Sequence, residues 1–327
     1  MHLSQVVDEQ VQFIISHQLP SGAIPWYHGG ITDPWDHVEC AIALDLAGRH
    51  DEARKAYRWL KNLQNPDGSW YSSYVDDVAQ DMARDSNFSS YIASGLWYHY
   101  LMTRDAGFLS QLWPTVERAI DFALTLQQPT GEVYWAYGAS GRPWQGALLA
   151  GSCCVWGSVT NAVSVGEVLG FGRPDWQLAA DRLRQAIRER PELFDRFGED
   201  SQRFGTSWFY PVLTGVIEGD EGRARIMQGW DEFVVDGWGC KCVSTAPWVT
   251  TAETCELVMS LSRLGEPDRA GLLLEWIFRL YEPSGGFRTG VKLPEEVTWP
   301  EEKNTWTSAS VVIASKALAG LKAEGHD

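Results

Sequence analysis

Carboxylates and tryptophans crowd into a few short segments of this chain, in a combination that suits one kind of chemistry. The carboxylates are Asp33, Asp36, Glu39, Asp76, Asp77, Asp81, Asp85, Glu132, Glu253, Glu295 and Glu296. Among them or close by stand Trp26, Trp35, Trp70, Trp135, Trp144, Trp208, Trp238, Trp248, Trp299 and Trp306, ten of the chain's 17 tryptophans. His28, His37, Arg142 and Lys241 join the same segments. Indole plates mixed with acids in a concave site suit a sugar, whose C–H faces stack on rings while its hydroxyls find acceptors. Cleaving a glycosidic bond takes two carboxyl groups, one protonated as acid and one ionised as base or nucleophile.

Spacing alone does not choose the pair; Asp85 and Glu253 are preferred, with Asp36 and Glu39 as first alternates and Glu132 with Glu295 or Glu296 as a second set. Trp26, His28, Trp35, Trp144, Trp248, Trp306 and Arg142 are the expected substrate-binding residues. Each acid also has a plainer reading. Asp33 and Asp85 stand where helix N-caps stand, and Glu253 closes the capping box Thr250-Thr251-Ala252-Glu253. Asp36 in a first helical turn suits the helix dipole. Glu39 and Glu256 are harder to dismiss, because a carboxylate deep on an apolar helix needs a partner or a task.

The elements that must hold these residues are announced by a repeat. Lys55-Ala56-x-x-Trp59-Leu60-x-x-x-Gln64-x-x-x-Gly68-x-Trp70 recurs 63 positions on as Arg118-Ala119-x-x-Phe122-Ala123-x-x-x-Gln127-x-x-x-Gly131, followed by Trp135. Looser copies run through Gln18, Gly22 and Trp26, and through Trp276 and Gly285-Gly286-Phe287. Apolar residues recur at helical spacing in about twelve stretches, with almost no strand-like alternation. Odd stretches such as 50–64 and 175–190 carry charge on one face, whereas even ones such as 146–170 and 308–318 are nearly charge-free. A helix apolar all round is enclosed, and one with a wet face lies outside. Strict alternation of the two is the pattern of an all-α (α/α)6 toroid, read here as a single domain over residues 1–327. Every odd-to-even connection then lies at one end, the mouth, and hairpins two and five stand opposite each other.

Composition narrows the partners. With formal net charge -16 and pI near 4.8, the chain lacks the clustered Lys and Arg that nucleic acid or anionic membrane requires. No leader is visible, and no uncharged span reads as transmembrane: 147–166 lacks charge but carries Ser, Thr, Asn and Gly throughout, as suits a buried helix. The six cysteines make no disulfide framework, and reduced thiols in the cytoplasm are expected. Cys240-x-Cys242 is too tight for a zinc knuckle, so neither metal nor cofactor is expected.

The repeat resembles the glutamine–tryptophan motif of squalene cyclases and protein prenyltransferase β subunits, which are themselves α/α toroids. Their chemistry does not transfer: the Asp-x-Asp-Asp motif is missing, and Asp76-Asp77-x-x-x-Asp81 is one residue too long for a diphosphate motif. A second resemblance covers nearly the whole chain. Gly22-Ala23-Ile24-Pro25-Trp26, Thr32-Asp33-Pro34-Trp35-Asp36-His37-Val38-Glu39, Asp85-x-Asn87-Phe88, Trp113-Pro114-Thr115-Val116 and Pro247-Trp248-Val249-Thr250-x-Ala252-Glu253-Thr254-Cys255-Glu256 look like a bacterial group, often named prenyltransferase, akin to hydrolases of mycobacterial methylmannose polysaccharide. That resemblance implies an endo-acting, α-mannosidase-like activity. One departure is Ser207, where the group's pattern implies Asp before Trp-Tyr-Tyr-Pro; here the run is Trp208-Phe209-Tyr210-Pro211.

The expectation is therefore a glycoside hydrolase acting on an oligo- or polysaccharide. An isoprenoid cyclase or transferase and a non-catalytic sugar-binding toroid are the alternatives. The first would need a deep apolar cavity, the second no paired carboxyls.

Overall fold

The computed structural model describes residues 3–196, 204–282 and 285–324. Two compact units divide the chain, one of Met1–His17 with Asp200–Asp327 and one of Gln18–Glu199. The latter, called here the central unit, holds α2 (Pro34–Leu46), α3 (His50–Leu63), α4 (Ser86–Ser90), α5 (Ile92–Thr103), α6 (Ala106–Leu124), α7 (Leu149–Leu169) and α8 (Pro174–Glu189). The terminal unit holds α1 (Leu3–His17), α9 (Gly205–Leu213), α10 (Gly219–Phe233), α11 (Thr251–Arg263), α12 (Pro267–Trp276) and α13 (Thr305–Glu324). The expected alternation is present in chain order. One even stretch is broken, since α4 and α5 part at Tyr91.

Within the central unit α2, α5 and α7 pack in sequence, with α3, α6 and α8 laid against them. In the terminal unit α9, α11 and α13 do the same, backed by α10, α12 and α1. Inner helices carry little charge because both faces meet protein. Two of them depart from this: α2 bears Asp36, Glu39 and Asp45, and α11 bears Glu253 and Glu256.

Even-to-odd connections are tight, as at 47–49 and 104–105. The odd-to-even ones are long and hold every strand among the described residues: β1 (Ser73–Val75), β2 (Val78–Asp81), β3 (Arg84–Asp85), β4 (Ala136–Tyr137), β5 (Val234–Val235), β6 (Gly239–Cys240), β7 (Trp248–Thr250), β8 (Gly290–Lys292) and β9 (Val297–Thr298). Such strands of two to four residues are too short for a periodic signal, so the sequence pattern did not show them. Their pairing fixes where the connections lie. In the central unit Thr32 bridges to Tyr74, β3 pairs with β4, and Ala147 bridges to Phe194. In the terminal unit Phe204 bridges to Val243 and β7 pairs with β8. Each unit therefore gathers its long connections at one end.

The repeat has a physical cause. The side-chain amide of Gln64 donates to the carbonyls of Gly68 (2.9 Å) and of Thr115 on α6 (2.9 Å). Gln127 does the same to Gly131 (3.1 Å) and to Ala179 on α8 (2.9 Å), and Gln18 to Gly22 (3.2 Å) and Glu52 on α3 (3.0 Å). One amide thus closes the turn and ties it to the next outer helix. The glycine must be glycine: a Cβ on Gly68 would lie 2.1 Å from the Arg118 carbonyl oxygen, at a φ of +95°. Gly68→Ala is expected to destabilise the fold by more than about 2 kcal/mol. Thermal or urea unfolding checks this, and an unchanged midpoint would contradict it.

Candidate active site

The richest cluster of acids is at the start of α2. Asp33 is the N-cap, and its Oδ1 accepts the backbone N–H of Asp36 at 2.9 Å. The expected capping role is real, but it uses only one oxygen. Oδ2 accepts the Trp26 indole N–H at 2.7 Å, and the carboxyls of Asp33 and Asp36 are themselves hydrogen-bonded. Two carboxyls share a hydrogen bond only if one is protonated. Asp36 is held well above the usual carboxylate range, first by burial and then by the charges of Asp33 and Glu39. Burial raises Asp33 too, against the hydrogen bonds it receives.

One turn on, Glu39 accepts the Trp35 indole N–H at 3.0 Å and a further bond from Tyr91. Burial raises it to about 7, with the charge of Asp33 adding. Asp36 and Glu39 keep part of their surface open even though protein crowds round them, as suits groups on the floor of a site. Tyr91, at the break between α4 and α5, also stacks on Trp35, with centroids 4.6 Å apart and planes at 18°.

Asp85 belongs to the same neighbourhood. It occupies the N-cap position of α4, but its side chain makes no capping bond. Instead it accepts the Ser72 hydroxyl and a bond from Trp135. Burial pushes it up to about 6, helped by the charges of Asp81 and Asp33. The central unit thus brings Asp33, Asp36, Glu39 and Asp85 together, a group that cannot be fully ionised at neutral pH.

Glu253 is in the terminal unit, in the first turn of α11. Thr250 makes no capping bond to the backbone; its hydroxyl donates to the Glu253 carboxylate. The Cys242 thiol also bonds to Glu253, and burial together with that charge pushes the thiol pKa up. Glu253 is therefore oriented by two side-chain donors. One turn below, buried Glu256 accepts the Tyr210 hydroxyl.

The other residues singled out in the sequence are scattered. Trp144 is exposed and meets Trp135 edge-on at 4.6 Å. Arg142 is exposed in the turn after β4, and His28 is exposed between Trp26 and Gly30. Trp248 sits edge-on to Trp299 at 4.7 Å, and the Lys292 ammonium rests 3.9 Å from the Trp299 ring centre. Trp306 is half-buried in the first turn of α13. His37 is structural: buried, it accepts the Ile24 N–H at 3.1 Å and donates to the Ala56 carbonyl at 3.0 Å, and burial lowers its pKa to about 4. Asp76 and Asp77 form the exposed β1–β2 turn, and Glu295 and Glu296 the exposed β8–β9 turn. Glu132 is buried in the turn after α6. The carbonyl of Ser207 accepts Arg225 at 2.8 Å. Tyr91, Ser72 and Cys242 were not read as site residues. Each is a lone residue whose role appears only once the connections are folded together.

A helical scaffold with sugar-suited aromatics and a raised-pKa carboxyl cluster defines a glycoside hydrolase, and the relatives agree. The chain is 42% identical, over 95% of its length and 85% of the relative's, to the MMP endo-(1,4)-3-O-methyl-alpha-D-mannosidase of Mycolicibacterium hassiacum, and it belongs to that enzyme's family. An uncharacterized glycosyl hydrolase of Methanocaldococcus jannaschii is 26% identical over 57% of the chain and 29% of its own length. Among solved structures, a glycosidase variant in complex with glucose superposes with a TM-score of 0.78 at 14% identity, over 98% of this chain and 97% of that one. A D-mannose isomerase does so with a TM-score of 0.76 at 9% identity, over 97% of each chain. No protein-family model matches. The fold class is the all-α (α/α)6 toroid. These relatives leave the isoprenoid reading without support.

Proposed function

We propose that the enzyme cleaves internal linkages of a 3-O-methylated α-1,4-mannan, with Asp36 as general acid. The carboxyl pair Asp33–Asp36 carries the reading of the chemistry. A general acid must hold its proton at neutral pH, and burial beside two carboxylates supplies that condition. Asp33 stays anchored by Trp26 and the helix start, so the proton resides on Asp36. Glu253, oriented within the terminal unit by Thr250 and Cys242, is proposed as a further catalytic carboxyl, a base or nucleophile. Asp85 and Glu39 are assigned supporting roles, keeping the local field negative as positive charge develops on the sugar ring.

Substrate class and endo mode follow the family relationship. Trp26 and Trp35 are proposed as sugar plates beside the acids, and Trp144, Trp248 and Trp306, with His28 and Arg142, as further sugar contacts. We further propose that residues 1–327 act as one domain and work in the cytoplasm; no helix among the described residues is long and apolar enough to cross a membrane. All six cysteines are free thiols.

The test is product sizing from methylmannose polysaccharide and from unmethylated α-mannan. Early mid-size fragments from the methylated polymer, with at least tenfold slower release from the unmethylated one, are expected. Monosaccharide as the first product would overturn the endo mode, and equal rates would overturn recognition of the methyl groups.

A further inference from the structure

Away from the acid cluster, the opposite end of the central unit holds a second constellation that the reaction does not use. We propose that Asp45, His50 and His99 form a site for an octahedral transition-metal dication. Asp45 lies in the last turn of α2, His50 opens α3, and His99 is on α5. Asp45 Oδ1 is 2.9 Å from His50 Nδ1 and 2.7 Å from His99 Nδ1. One donor atom from each residue falls within a 4.8 Å set.

The spacing selects the geometry. With metal–ligand bonds of ~2.1 Å, tetrahedral ligands sit ~3.4 Å apart, whereas neighbours on one octahedral face sit ~3.0 Å apart. The separations of the two imidazoles from Asp45, 2.9 and 2.7 Å, fall nearer the second value. Such a triad leaves further positions open and suits Fe²⁺, Mn²⁺, Co²⁺ or Ni²⁺. Asp45 and His99 are 1% exposed, while His50 is half-exposed and offers the way in. The remaining oxygen of Asp45 is fixed by the Tyr57 hydroxyl at 3.2 Å, the outer support that ligating carboxylates need. His99 Nε2 has no hydrogen-bond partner among the described residues, and a metal bound at Nδ1 would take the place of its hydrogen bond to Asp45. No metal pattern is visible in the sequence, because the ligands come from three helices and two lie 49 positions apart (50 and 99).

The experiment is metal loading of tag-free, chelator-stripped protein with Co²⁺, Mn²⁺ or Ni²⁺, followed by elemental analysis, calorimetry and the Co²⁺ visible spectrum. One equivalent per chain is expected, with the weak bands of six-coordinate cobalt and a melting temperature that rises with metal concentration. His50→Ala, at a half-exposed position, is expected to fold and to bind at least 100-fold more weakly; Asp45→Asn should lose the site. Absence of stoichiometric binding, binding unchanged in His50→Ala, or the intense bands of tetrahedral cobalt would each overturn the proposal. Metal content is read independently of polysaccharide cleavage, so failure here leaves the hydrolase reading as it stands.

Discussion

Asp36→Asn is expected to lower kcat/KM on the natural polysaccharide by about 10²–10⁴-fold, the usual share of a general acid–base group. Asparagine keeps the shape and the first turn of α2 but has no acidic proton to give. Loss of folding is not expected, and the sign can be worked out. Burial and the neighbouring acids raise the folded-state pKa of Asp36 above its unfolded value. Its contribution to stability is then fully present below the unfolded pKa and is lost as pH rises through the folded one. Near pH 8 the variant should melt no lower than the wild type, because it has no charge to force into that site. The wild-type pH–rate profile should have a basic limb above the ordinary carboxylate range, and the variant should lack it. A limb unchanged in Asp36→Asn would assign the proton to Glu39, which burial raises to about 7.

Glu253→Gln is expected to be as damaging, about 10²–10⁴-fold, for a different reason. Thr250 and Cys242 hold this carboxylate in one orientation, and an amide in its place can neither take a proton nor attack carbon. In Glu253→Ala, where the truncated side chain leaves room for a small anion, added azide should restore part of the rate and yield a glycosyl azide. Activity within a factor of three of wild type would remove Glu253 from the mechanism and return Asp85, with its pKa of about 6, as second carboxyl.

The helical plan was legible because its signals are periodic and repeated. Charged and uncharged stretches alternate along the chain, and Gln18, Gln64 and Gln127 each close the same turn with the same amide. The acids were legible as a group, because Asp36, Glu39, Asp85 and Glu253 are costly residues to place at the starts of inner helices. Spacing alone could not choose among them. Asp33 read as a helix cap, and so it is, but its second oxygen faces Trp26 and its carboxyl bonds to Asp36. A cap residue has two oxygens, and spacing reports on only one. Asp85 looked equally like a cap, yet its side chain turns to Ser72 instead. Tyr91 gave no signal, since its value comes from a break in a helix that periodicity runs straight through.

The most direct measurement compares wild type and Asp36→Asn on two substrates, the natural polysaccharide and a mannoside whose dinitrophenol leaving group departs without protonation. The account predicts a loss of about 10²–10⁴-fold on the polysaccharide and less than tenfold on the activated substrate, because only the first needs the proton of Asp36. Equal losses on both, or no loss on the polysaccharide, would contradict it.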